Sequence, residues 1–141
     1  MPVKIILEGE LLDFLQAIQQ QIIVLDGAMG TMIQDLHLTD QDFGGAEYKM
    51  LSDLLTFSCP DKLEGIHKEY LKAGANGIET NTFGASRLRL QEYNFSNLDL
   101  TKFHPRAKEL NITELDYDQF AYLLNKEAAQ IASRAIENLS L

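Results

Sequence analysis

The chain has 141 residues, 45% hydrophobic and 23% charged, enough for one soluble globular domain with its own core. Twelve basic against 21 acidic residues leave a net charge of −9. That balance, with no Lys/Arg cluster to neutralise phosphates, argues against nucleic acid and against an anionic membrane surface as partners. No apolar run approaches the roughly 20 residues of a membrane span, and the start, Met1 to Glu8, has too short an apolar core for a signal peptide. One cysteine, Cys59, excludes an internal disulfide framework, so the expected location is cytoplasmic.

Leu11, Leu12, Phe14, Leu15 and Ile18 recur at the spacing of one helix face, which makes residues 1–20 an N-terminal helical segment. Ile22-Ile23-Val24-Leu25 is apolar and rich in β-branched residues, predicting a buried strand that breaks abruptly into Asp26-Gly27-Ala28-Met29-Gly30-Thr31. Residues 32–57 are mixed, with Gly44-Gly45 marking a turn. Pro60 and Asp61 then open a helix, since proline suits the first helical position and an early carboxylate complements the dipole. Leu63, Ile66, Tyr70 and Leu71 form its apolar stripe, and Gly74 is placed to end it in a left-handed cap. A second strand is expected at about 75–80. Strand, helix-bearing connection and strand make a crossover that implies parallel pairing.

Residues 85–93 read as helical, and 94–115 as a polar, irregular insertion. Asp116 with Gln119 resembles a capping box, from which Phe120, Leu123, Leu124, Ile131, Ala135 and Leu139 carry a helix over 116–139. Two strands do not close a parallel sheet, because such sheets are covered on both faces and need several strands. The expectation is therefore the opening portion of a larger α/β domain, with residues 21–93 supplying the first two βα units.

Asp26 is carried to the carboxyl edge of the expected sheet, where α/β folds bind their ligands. Asp-Gly is also an ordinary turn pair. The small residues allow a ligand to approach the backbone closely, yet a phosphate would be repelled by Asp26. An ammonium group, or an amino acid carrying both charges, suits the loop better. At the end of the second strand, Glu79-Thr80-Asn81-Thr82 places polar groups where a core would be apolar; Thr80 and Asn81 are either simple strand-end hydrogen bonders or part of the same site. His37, His67 and His104 have no metal-ligand spacing. Cys59 at a helix start is either an activated thiol or an inert cap-position cysteine.

These motifs, taken in order, resemble the homocysteine S-methyltransferase domain family. The resemblance runs through Leu25-Asp26-Gly27-Ala28-Met29-Gly30-Thr31-Met32-Ile33-Gln34, Asp42-Phe43-Gly44-Gly45-Ala46-Glu47, Pro60 to His67, Ala73-Gly74-Ala75 and Ile78 to Ala85. It covers about residues 20–95 well and 116–139 loosely, and the Thr-Met-Ile-Gln continuation most resembles the cobalamin-dependent methionine synthase branch. The resemblance implies the N-terminal portion of a (β/α)8 TIM barrel, with residues 1–141 forming a partial homocysteine-binding domain. It implies substrate-binding roles for Asp26, on the homocysteine ammonium, for the Gly27 and Ala28 backbone, and for Thr80 and Asn81.

The family's zinc implies three cysteine ligands that this chain lacks. No catalytic or metal residue is therefore expected within it, and the stretch alone is expected to be inactive. Cobalamin and methyltetrahydrofolate are implied through modules not present here. The implied partners are homocysteine and the missing C-terminal barrel half or other modules of the same enzyme, with open sheet edges favouring self-association. The competing expectation is a non-catalytic truncated paralogue acting as a binding or regulatory module. A phosphate-binding lyase barrel is disfavoured by the loop carboxylate.

Overall fold

The computed structural model describes residues 8–99 and 116–139. Among them run six α-helices: α1 (Glu8–Gln20), α2 (Met29–Asp35), α3 (Leu55–Ser58), α4 (Pro60–Lys72), α5 (Arg87–Leu90) and α6 (Tyr117–Glu137). Three 3₁₀ turns, Asp40–Phe43, Ala46–Tyr48 and Ser52–Leu54, fill the stretch that reads as mixed. No helix of the described residues is long and apolar enough to cross a membrane.

The helix signals act where the sequence places them. Pro60 starts α4 at its first position, and Gly74 follows its end at φ 106°, a backbone conformation that a β-carbon resists. At α6 the Asp116 carboxylate accepts from the backbone N–H groups of Asp118 and Gln119, so the expected N-cap is present. The helix expected over 85–93 contracts to the single turn α5, capped by the Ser86 hydroxyl, which accepts from Arg89 N. The polar appearance of 94–99 hides two core residues, Phe95 and Leu98, both buried. The rest of that expected insertion, 100–115, and His104 within it, lie outside the described residues.

The two apolar segments expected as strands differ most from expectation. They form no extended strand among the described residues and meet in one parallel bridge, Leu25 to Gly77. Nor is the first segment buried: Ile22 is 88% exposed, Val24 52% and Leu25 56%. An apolar run records that its positions are covered in the finished fold, but not what covers them. Among the described residues no third strand extends the ladder, and only the second segment, through Ile78, is covered by a helix.

The core is threaded on α6. Its Phe120, Leu123 and Leu124 pack with Tyr48, Phe57 and Phe95. Two turns on from Leu124, Ile131 joins Ile33, Phe43, Leu63 and Ile66. Ala132, Ala135 and Ile136 close on Ile78, with Tyr70 and Leu71 against them. Aromatic pairing sets the first cluster: Phe95 meets Phe120 edge-on at 5.1 Å and stacks on Tyr48 at 5.5 Å.

A polar clamp joins α4 to α6. Glu64, 8% exposed, takes the Lys68 ammonium at 2.6 Å, Arg134 Nε at 3.2 Å and Asn138 Nδ2 at 2.9 Å. Those donors hold its carboxyl down to about 2. His67, one turn further on, is 1% exposed, and its Nδ1 has no hydrogen-bond partner. Burial pulls its imidazole down to about 4, against a smaller upward pull from Glu64.

Both shifts act in the same direction. His67 contributes stability above its ordinary 6.5 and loses it as pH falls toward 4; Glu64 contributes above 4.5 and loses it as pH falls toward 2. The contribution of these two groups to the unfolding free energy should therefore decline as pH drops from 7 to 4, against the raised carboxyls of Asp26 and Asp53. In His67→Leu the slope between pH 6.5 and 4.5 should shrink by up to about 1.4 kcal/mol per pH unit. Urea melts across that range check this, and an unchanged slope would contradict the buried neutral imidazole.

Candidate functional site

The bridge of Leu25 to Gly77 sets the loop after the first segment beside the end of the second. Three backbone bonds hold the pair: Asp26 N to Gly77 O at 3.0 Å, Asn76 N to Val24 O at 2.7 Å and Gly77 N to Val24 O at 3.3 Å. The Asn76 side chain adds a fourth, accepting from Val24 N at 3.0 Å. Asp26 itself closes the arrangement, its Oδ1 accepting the Glu79 N–H at 3.0 Å. The carboxylate thus ties the two segments together at the edge where they diverge.

Burial lifts the Asp26 carboxyl above its ordinary value; the Glu79 N–H opposes this, and the Glu79 side-chain charge raises it further. Two carboxylates at one edge, one of them partly buried, make a field suited to a cation.

Gly27 and Ala28 lie exposed in the loop that follows, and Ala28 leads into α2. The Thr31 hydroxyl donates to Ala28 O at 3.0 Å, and the Tyr70 hydroxyl of α4 donates to the same oxygen at 3.1 Å. Thr80 is half-buried and its hydroxyl pairs with that of Thr82 at 2.8 Å. Asn81 is buried, its Nδ2 donating to Ser52 O at 2.9 Å. Thus the structure brings Asp26 and Glu79 together, and it engages Asn81 in holding its own loop to the 3₁₀ turn Ser52–Leu54.

Beside that turn lies a cavity of about 440 Å³, a size usual for small-molecule sites. Gly30 and Gln34 line it from the α2 side, Phe43 and Ser52 from the other.

Asp53 is a participant that the sequence reading passed over. It is 3% exposed and its Oδ1 accepts Gly84 N–H at 2.9 Å, fixing the far end of the 79–84 loop. Burial raises its carboxyl, and the Gly84 N–H works against that. Only glycine permits this approach: a β-carbon at residue 84 would stand 2.8 Å from Asp53 Oδ2 and 2.8 Å from Leu51 Cδ1. The available signal was a lone carboxylate inside Leu51-Ser52-Asp53-Leu54-Leu55, since a charge within an apolar run needs a partner.

Cys59 sits between α3 and α4, its thiol donating to Asp42 Oδ1 at 3.6 Å. Burial pushes the thiol upward in pKa, away from the thiolate form that attacks or ligates metals. As the only cysteine of the chain it does not fit a three-thiolate zinc centre. Among the described residues, no group of three or more His, Cys, Asp and Glu side chains is placed to hold a metal ion.

A β-type segment thus ends in a loop carboxylate that faces a second polar loop across a parallel bridge. Comparison with known proteins gives it a family. The homocysteine S-methyltransferase model matches residues 23–140, and the chain belongs to that family. It is 44% identical over 85 residues to the methionine synthase of Mycobacterium leprae (strain TN), and 42% identical over 85 residues to that of Mycobacterium tuberculosis (strain ATCC 25618 / H37Rv). Each match covers 60% of this chain but only 7% of the relative, so the chain spans a small part of the proteins it resembles.

The Asp53 clamp yields a direct test. Asp53→Ala leaves the buried Gly84 N–H without an acceptor and should cost about 1–3 kcal/mol in urea denaturation. Asp53→Asn retains an oxygen acceptor and should cost clearly less. Equal losses would show that the Gly84 bond is not what Asp53 provides.

Proposed function

We propose that this chain is the amino-acid-recognition part of a homocysteine methyltransferase of the methionine synthase type. Asp26 anchors the substrate ammonium, the Gly27 and Ala28 backbone faces the amino acid, and Thr80 and Asn81 shape the opposite loop. The observation carrying this reading is the Asp26 carboxylate, raised by burial and by the Glu79 charge beside it. An ammonium placed there relieves that repulsion, whereas a phosphate would add to it.

In this reading the fold is the first part of a (β/α)8 barrel, and the remaining strands come from outside the chain. The exposed apolar run of Ile22, Val24 and Leu25 supports it, as does Phe83, because these side chains are of the kind a completed barrel covers. Zinc, which would turn the homocysteine thiol into a thiolate nucleophile, does not fit the donors present. Zinc, cobalamin and methyltetrahydrofolate then belong to the other parts of such an enzyme. The 141 residues by themselves recognise substrate and transfer no methyl group.

Hydrogen bonds to a charged group contribute about 1.5–3 kcal/mol, so Asp26→Asn should weaken L-homocysteine binding roughly 10- to 150-fold. The des-amino analogue of homocysteine should bind wild type and Asp26→Asn alike. Calorimetry with both ligands separates the roles, and an equal loss for both would remove the ammonium anchor. Measurable methionine formation by the purified chain would overturn its assignment as a recognition part alone.

A further inference from the structure

We propose that Tyr70 is the positioning residue of the site loop, fixing the Gly27–Ala28 backbone from beneath. This rests on the reading above only for the ligand affected. Tyr70 lies in the last turns of α4, where its ring packs against two parts of the core at once. One contains Ile33, Leu63 and Ile66, and the other Ile78, Ala132 and Ala135. From that seat its hydroxyl donates to Ala28 O at 3.1 Å.

The ring also runs under the neighbouring residue. A β-carbon on Gly27 would stand 3.3 Å from the Tyr70 hydroxyl oxygen, 3.4 Å from Cε1 and 3.6 Å from Cζ. Ala28 O is the acceptor at the head of α2, a helix of 7 residues too short to hold its own shape. A peptide unit is planar, with its C=O and N–H pointing in opposite directions. Anchoring Ala28 O to Tyr70 therefore aims the Met29 N–H away from α4. The Tyr70 hydroxyl, sharing Ala28 O with the local Thr31 hydroxyl, thus ties the backbone beside Asp26 to α4, and the ring beneath leaves little room for a side chain at residue 27.

The role is a positioning one, since nothing places Tyr70 against the reacting atoms. Its partners make it separable from ordinary packing. Tyr70→Phe keeps the ring in the core and removes only the hydroxyl. Gly27→Ala leaves Tyr70 in place and pushes a methyl against that hydroxyl.

The test is amide hydrogen exchange by NMR on the unliganded 141-residue chain. Tyr70→Phe should speed exchange of the residue 32–35 amides about 2- to 10-fold, the range expected for one lost hydrogen bond, and leave the α6 amides unchanged. Gly27→Ala should do the same. The double substitution should match either single one instead of multiplying them, because both act on one bond. Unchanged exchange at 32–35 in Tyr70→Phe, or fully multiplicative effects, would overturn the proposal.

A second arm measures L-homocysteine affinity, which Tyr70→Phe should lower by about 2- to 10-fold. Equal affinity of wild type and Tyr70→Phe would also overturn the positioning role, while leaving the recognition reading intact. If wild type binds no homocysteine but the exchange pattern holds, the recognition reading fails and the role of Tyr70 in the loop stands.

Discussion

The parallel contact of Leu25 with Gly77 is the constraint on which the site depends. Each partner alone is an irregular segment, and each runs directly into a polar loop. Paired in parallel, both loops leave in the same direction and lie side by side. An antiparallel pairing would send them to opposite ends. Asp26 is therefore more than a charge on a turn: by accepting from Glu79 N it closes the last rung of this contact with its side chain. The carboxylate proposed as the ammonium anchor is thus also the one that holds the local geometry.

Everything else braces that contact from below. The long helix α6 contributes to all three core clusters, and α4 lies against it through Leu63, Ile66 and the Glu64 clamp. Two side chains reach the loops, Tyr70 from α4 and Asp53 from the 3₁₀ turn Ser52–Leu54. Tyr70 holds the first by Ala28 O, and Asp53 holds the second by Gly84 N–H. The rigid part of the molecule thereby fixes backbone that has no regular structure of its own, as sites on loops require.

The legible parts of the sequence were those with local causes. Pro60 and Gly74 bound α4, and Asp116 caps α6, because caps act within a few residues of where they are written. Burial is not local, and there the reading departed from the structure. Ile22, Val24 and Leu25 carry the composition of a covered strand, but their cover is not supplied by residues 8–99 or 116–139. Conversely, Phe95 and Leu98 are core residues set in a polar stretch, found only through contacts with Tyr48 and Phe120 far away in sequence. Asn81 was legible as a polar residue at a loop, while its engagement with Ser52 depends on a turn that no short motif announces. Asp26 was legible as a candidate site, and its bond to Glu79 N was not, since that bond spans 53 residues.

The family match over residues 23–140 spans both loops, and the ammonium site proposed for them needs the two held side by side. The claim beneath both is that Asp26 joins the two segments. Hydrogen exchange at the Glu79 amide tests it most directly. In wild type this amide should be protected, and in Asp26→Ala it should exchange about tenfold or more faster while the α4 and α6 amides keep their rates. A Glu79 amide that exchanges in wild type at the rate of an unstructured peptide would contradict the account.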